Sequence, residues 1–393
     1  MPRTRLKHLA ICVFVLGIGG CAYHDRTAIA VPEPGAAAFH PVGMPRDIRV
    51  YGDEFGRDTA ALISEYRARV GGFPKDGGLN ILALSGGGAG GAYGAGVLAG
   101  WSATGSRPDF DMVTGISTGA IIAPFAFLGQ QYDPALERFY TRTQTRQIAR
   151  FRILRALIDG GYVADTAPLA AAIARELNDN VIADIGREAA KGRDLFVGTT
   201  NIDSERPVIW DIGRMAQIGT PEANALIRRV ILASASIPVL FEPIAIEVSD
   251  GKRLREELHV DGGLTQQVFV YPVEVPMKRL LRDVGLANRD NTIWVIQNKS
   301  IYPRYEPQNT RLPRLVERTV SLLIKSQTVG DIGQIVALAR RDGFSVNTLI
   351  LPKDFSETPT ELFDPVYMAK LYQVGLRDGR EDRWDSNLTH YLE

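Results

Sequence analysis

Histidine and cysteine are scarce in this chain of 393 residues, which holds five of the first and two of the second. Two cysteines, Cys12 and Cys21, cannot build a disulfide framework. Asp165, Asp184, Asp203 and Asp211 have no His or Cys at a metal-ligand spacing, so neither a metal nor another cofactor is expected. Charge of one sign is not in excess either: 45 basic and 45 acidic side chains leave a formal net charge of zero. That balance lacks the basic footprint of a nucleic-acid binder. No apolar run beyond the N-terminal segment approaches the length of a membrane span. Internal repeats and Ser/Gly-rich linkers are missing, which favours one large α/β domain. Apolar runs at Leu195–Thr199, Ile293–Ile296 and Val346–Leu351 read as buried strands, and helical stretches such as Glu222–Leu232 and Leu315–Ala339 fall between them; this alternation suits a sheet covered on both faces.

Glycine, by contrast, is plentiful, with 39 residues. The most informative stretch is Gly115-Ile116-Ser117-Thr118-Gly119. An apolar segment, Phe110 to Val113, precedes it, and another, Ala120 to Leu128, follows. A nucleophile elbow needs this context: a strand, a sharp turn carrying an exposed serine, then a helix. Gly115 and Gly119 suit the turn because a Cβ at either place would crowd the strand or the helix entry. The alternative is an ordinary helix start with Ser117 as N-cap.

Upstream, Leu79 to Ser85 reads as a buried strand and runs into Gly86-Gly87-Gly88-Ala89-Gly90-Gly91. Successive glycines turn backbone N–H groups toward one point near a helix start, a place that favours negative charge. Gly86, Gly88 and Gly91 fit the spacing of a nucleotide-phosphate loop. No Gly-Lys-Ser/Thr ends that loop, so it is not a Walker site. A dinucleotide fold wants an acid about 20 residues on, at a strand end. Asp109 and Asp111 instead begin an apolar segment. An oxyanion hole is the reading that uses the nearby Ser117. Tight helix–sheet packing explains Gly94 and Gly96 better than Gly86, Gly87 and Gly88.

A base for Ser117 is the remaining need. His8, His24 and His40 precede the folded region, and His390 lies at the C-terminal tail. His259 stands two residues before Asp261 on a predicted strand, so both face the same way, which suits a satisfied sheet histidine better than a bridging imidazole. Asp261-Gly262-Gly263 places a carboxylate at a strand end, either to open a turn or to act chemically. Scarce histidine argues for a Ser117–Asp261 dyad in which the aspartate takes the proton.

Together these motifs resemble the patatin-like phospholipases. The resemblance rests on Gly86-Gly87-Gly88, Gly115-Ile116-Ser117-Thr118-Gly119 and Asp261-Gly262-Gly263, with Ser234-Ala235-Ser236-Ile237-Pro238 ahead of the aspartate. It covers roughly residues 79 to 275. It implies a three-layer α/β/α fold with a central, mostly parallel sheet, and serine acyl-hydrolase activity on phospholipids or lysophospholipids. By matching position, Ser117 is the nucleophile, Asp261 the dyad acid, Gly86 to Gly88 the oxyanion hole, and Gly91 a further motif glycine. The family usually carries Arg or Lys before the last glycine of its loop. Gly90 stands there in this chain, which predicts a less firmly held loop and leaves open a catalytically silent lipid-binding lipoprotein.

Arg3, Arg5 and Lys7 precede an apolar stretch from Leu9 to Ile18, followed by Gly19-Gly20-Cys21. This pattern fits a signal peptide over 1–20 and resembles a bacterial lipobox, with Cys21 acylated. Its removal leaves 42 basic against 45 acidic side chains. A lipidated, proline-containing tether and N-terminal extension over 21–78, a catalytic domain over 79–275 and a C-terminal part over 276–393 packing on the same domain are the expected organisation. By the lipobox resemblance, Ala22 in place of Asp suits outer-membrane sorting in a two-membrane bacterium, with the enzyme facing the periplasm. A basic, partly apolar stretch over 138–158 reads as a surface helix or as an element touching anionic lipid.

Overall fold

The computed structural model of the chain describes residues 29–33, 35–53, 64, 67–68, 77–151, 162–303, 305, 307 and 312–386. The signal segment, Cys21, His8, His24, His390 and residues 152–158 of the basic stretch lie outside the described residues. Strands are numbered β1 (His40–Pro41), β2 (Arg49–Tyr51), β3 (Asn80–Leu84), β4 (Met112–Ile116), β5 (Arg150–Phe151), β6 (Ala164–Asp165), β7 (Asp194–Asn201), β8 (Arg206–Asp211), β9 (Ile244–Ser249), β10 (Leu254–Asp261), β11 (Thr292–Gln297) and β12 (Ser345–Ile350). The helices that frame the site are α1 (Gly91–Thr104), α2 (Thr118–Leu128), α3 (Asp133–Arg142), α4 (Pro221–Ser234), α5 (Leu312–Asp342) and α6 (Pro365–Arg380).

The main sheet runs β1-β9-β10-β7-β4-β3-β11-β12, with β8 on β7 and β2 on β8, so His40, expected ahead of the folded region, is instead part of it, paired with Ser249. Its centre, β7-β4-β3-β11-β12, is parallel, and the antiparallel strands gather on one flank. Strands of the centre are apolar on both faces because helices cover both. Leu82, Leu84, Val113, Leu195 and Val197 point into a core shared with α1, α2, α4 and α6. Ile81, Ala83, Met112, Phe196 and Ile293 alternate with them and point into a second core with α5 and the helix Met277–Asp283. The fold is therefore a three-layer α/β sandwich. The strands expected at Leu79–Ser85, Leu195–Thr199, Ile293–Ile296 and Val346–Leu351 are β3, β7, β11 and β12. The expected helices at Glu222–Leu232 and Leu315–Ala339 are α4 and α5.

One detail of β7 positions the site. β8 pairs with residues 196–201 along one edge. Along the other edge β4 pairs in parallel with Asp194 to Gly198, and β10 pairs antiparallel with Thr199 to Asn201. The C-terminal ends of β4 and β10 therefore meet head to head, Ile116 opposite Gly198 and Asp261 opposite Thr199.

The basic stretch is not one helix. α3 ends at Arg142, Gln144 caps a short helix Thr145–Ile148, and Arg150–Phe151 pairs with β6. Extended backbone at Thr143 and Gln144 breaks the helical run.

Candidate active site

Ser117 follows β4 directly and opens α2 with φ 56° and ψ −122°. A non-glycine residue at positive φ is strained and persists only when its surroundings hold it. Here they do. Its N–H donates to Ser234 Oγ at 3.0 Å, and Ser234 Oγ donates to the Gly198 carbonyl at 2.6 Å. A Cβ on Gly115 would collide with the Gly119 carbonyl, and one on Gly119 with the Leu84 carbonyl. Strand, turn and helix can approach only without those carbons. Gly91 and Gly262 are similar close approaches, to Thr118 Oγ1 and to the Gly198 carbonyl.

The Ser117 side chain does not cap α2. Its Oγ donates to Asp261 Oδ2 at 2.6 Å. Both residues are buried. The other carboxylate oxygen, Oδ1, accepts the Gly263 N–H at 2.8 Å, and the Asp261 N–H donates to the Ser236 carbonyl at 3.0 Å. Ser234 and Ser236 thus hold the backbones of both partners. Burial pushes the Asp261 carboxyl up to about 6, against the opposing hydrogen bonds from Ser117 and Gly263 and the charge of Lys299. Lys299 keeps contact with solvent, yet the protein packed around its ammonium lowers its pKa by desolvation, against the charge of Asp261.

The glycine loop lies against the serine. A Cβ built on Gly86 would sit 3.3 Å from Ser117 Cβ and 3.4 Å from Gln267 Oε1. Gly86, however, is not free to donate to a substrate: its N–H goes to the Gln267 carbonyl at 3.1 Å. That corrects the expected three-donor set and leaves the amides of Gly87 and Gly88 as candidates. The loop is held by Asn298, which sequence reasoning missed. Asn298 Nδ2 donates to the Ser85 carbonyl at 2.7 Å, its N–H to Ser85 Oγ at 2.9 Å, and its Oδ1 accepts the Gly94 N–H at 3.1 Å. A Cβ at Gly90 would strike the Asn298 carbonyl, so no cation fits there. The loop expected to be slack at Gly90 is tied down from β11 instead.

His259 is fully buried, and Nδ1 meets Thr199 Oγ1 at 3.0 Å while Nε2 meets Glu257 Oε2 at 3.2 Å. Arg49 holds the same glutamate with two hydrogen bonds, at 2.5 and 3.0 Å. Burial alone would raise the Glu257 carboxyl, but the bonds from His259 and Arg49 hold it at about 2. Burial lowers the His259 imidazole and keeps it neutral. His259→Ala is expected to retain ester turnover within a few-fold while lowering stability by about 1–3 kcal/mol. Parallel rate and urea-melt measurements check it; a variant that folds but has lost turnover would restore histidine to the mechanism.

Residues 82–273 match the sequence family described as patatin-like phospholipase. The chain carries a patatin-like phospholipase domain. This is the domain of a lipid acyl hydrolase, and Ser117, Asp261 and the glycine loop all fall within it. The crystal structure of VipD from Legionella pneumophila is similar to this chain with a TM-score of 0.33 and 13% identity, over 78% of this chain and 67% of that one. No curated protein matches the sequence. The patatin-like domain ends before β11, yet β11 and β12 extend its sheet and Asn298 holds its loop.

Proposed function

We propose that this chain hydrolyses ester-linked acyl chains of phospholipids or lysophospholipids through a Ser117–Asp261 dyad and an acyl-enzyme. The observation that carries this is the 2.6 Å hydrogen bond between Ser117 Oγ and Asp261 Oδ2 inside a patatin-like domain. Asp261 accepts the Ser117 proton as Oγ attacks the ester carbonyl. The N–H groups of Gly87 and Gly88, beside the positive end of α1, receive the oxyanion. Collapse expels the alcohol, which takes the proton from Asp261. Asp261 then draws a proton from water as it attacks the acyl carbonyl, and collapse releases the fatty acid while Ser117 Oγ takes that proton back from Asp261. A carboxylate near 6 is a stronger base than an ordinary aspartate and is still mostly ionised at neutral pH. In this proposal Cys21 is acylated and the segment after it tethers the enzyme to the periplasmic side of a bacterial outer membrane, while the extension from Ile29 onward packs on the enzyme, with β1 and β2 in its sheet, and 276–393 completes the same domain.

Labelling by a fluorophosphonate tests the reading. An activated serine is modified at Ser117 and the label is absent from Ser117→Ala; a silent lipid binder takes no label. The Lys299 charge supplies a second test. Lys299→Gln removes a charge that favours the Asp261 carboxylate, so the acid limb of kcat/KM moves to higher pH. A limb unmoved by this change would remove Lys299 from the account.

A further inference from the structure

The long helix α5 changes character along its length. In its C-terminal half Ile332, Ile335, Val336, Leu338 and Ala339 are buried in the second core. In its N-terminal half large aliphatic side chains face outward: Val316 is 53% exposed, Val320 49% and Leu323 65%, with Leu315 and Leu322 exposed on the adjoining face. Val316, Val320, Leu323 and Gln327 recur at the spacing of one helical stripe. Gln327 Oε1 accepts from Gln267 Nε2 at 3.1 Å, and Gln267 Oε1 stands beside Gly86 and Ser117. The stripe therefore starts at the wall of the candidate active site and runs outward for about 16 Å, at about 1.5 Å per residue.

Other exposed aliphatics flank the same mouth. Leu264, which follows Asp261-Gly262-Gly263, is 52% exposed, and Val239, in the segment whose Ser236 carbonyl holds Asp261, is 78% exposed. A groove of about 190 Å³ between α5 and the loop after β11 is lined by Lys299 and Lys325 together with Val320 and Ile324. Aliphatics facing solvent beside lysines are the chemistry of a surface that enters the headgroup region of an anionic bilayer.

We infer that the N-terminal half of α5 docks on a phospholipid bilayer and holds the mouth of the site against it. The inference rests on the hydrolase reading above and lies outside the family-matched residues. A bilayer is favoured over a second copy of the chain because the stripe is continuous with the wall of a site whose substrates lie in that bilayer.

The test uses the full chain and the pair Val320→Asp with Leu323→Asp, which touches none of the reacting groups. Turnover of a short, soluble p-nitrophenyl ester should stay within twofold, while hydrolysis of phosphatidylcholine/phosphatidylglycerol vesicles falls at least tenfold. An unchanged vesicle rate overturns the inference. If both rates collapse, the milder pair Val320→Ser with Leu323→Ser decides: parallel loss on both substrates makes the face structural and overturns the inference, and selective loss on vesicles supports it. A fall that accompanies conversion of a dimer to a monomer on sizing assigns the face to self-association and also overturns it. A separate readout is independent of hydrolysis. In a Ser117→Ala background, Leu323→Trp emission should shift to the blue and be quenched by brominated lipid in the same vesicles; an unshifted, unquenched emission overturns the docking whether or not the chain proves to be an esterase.

Discussion

Ser117→Ala should lower turnover of a soluble ester by about 10⁶-fold, the scale of removing the nucleophile from other serine hydrolases. The strength of the test lies in how little else the change disturbs. The side chain caps no helix, and the N–H that holds the turn belongs to the backbone and survives. Alanine inherits the same positive φ, so the strain is unchanged rather than relieved. Asp261 keeps its bond from the Gly263 N–H. The variant should therefore fold, bind lipid and fail only at acyl transfer. Active-site titration with a fluorophosphonate and urea melts measure both halves of the expectation, and substantial turnover would end the assignment of Ser117.

Asp261→Asn should cost roughly 10²–10⁴-fold in rate, the usual span for a positioned general base. It should also stabilise the fold at neutral pH, which separates it from a merely damaging change. Burial raises the carboxyl from 3.8 to about 6. The folded state therefore binds a proton over a pH range where the unfolded chain has released it. Stability falls as pH rises from about 4 to about 6, by about 3 kcal/mol for a shift near two units. Asparagine carries no such charge. The variant's stability relative to wild type should be higher at pH 8 than at pH 4 by that order, and the wild-type kcat/KM should climb through pH 6. Equal differences at both pH values, or a flat rate profile, would mean that Asp261 is not a buried base.

Both partners were legible because local rules fix them. Glycines bracket Ser117, and Asp261 ends a strand ahead of two more glycines; the scarcity of histidine pointed to the pairing that the Ser117–Asp261 hydrogen bond displays. The parallel centre of the sheet was legible from its short apolar runs, covered on both sides. Other features lay beyond sequence reasoning because distant pairings decide them. Asn298 reaches the glycine loop only because β11 lies next to β3. Gly86 loses its amide to Gln267 for a similar reason, the return of the chain after β10. Arg49 closes on Glu257 because β2 joins β8 at the edge of the sheet. The Ser234–Ser236 segment could be noticed, but not that one hydroxyl and one carbonyl in it would grip the backbones of Ser117 and Asp261.

Gly198 and Thr199 are consecutive residues, and each is opposite the end of a different strand. β7 thus acts as a ruler with a single graduation: the gap between the strand that leads into Ser117 and the strand that ends at Asp261 is one peptide step. Loops at either end can lengthen without altering that gap, whereas one residue inserted at 198–199 would push the two ends apart and turn one of them to the opposite side of the sheet. Tolerance to insertion should therefore vanish at this join, as it does at the Ser117 turn and the glycine loop, and rise only in the loops away from those close approaches.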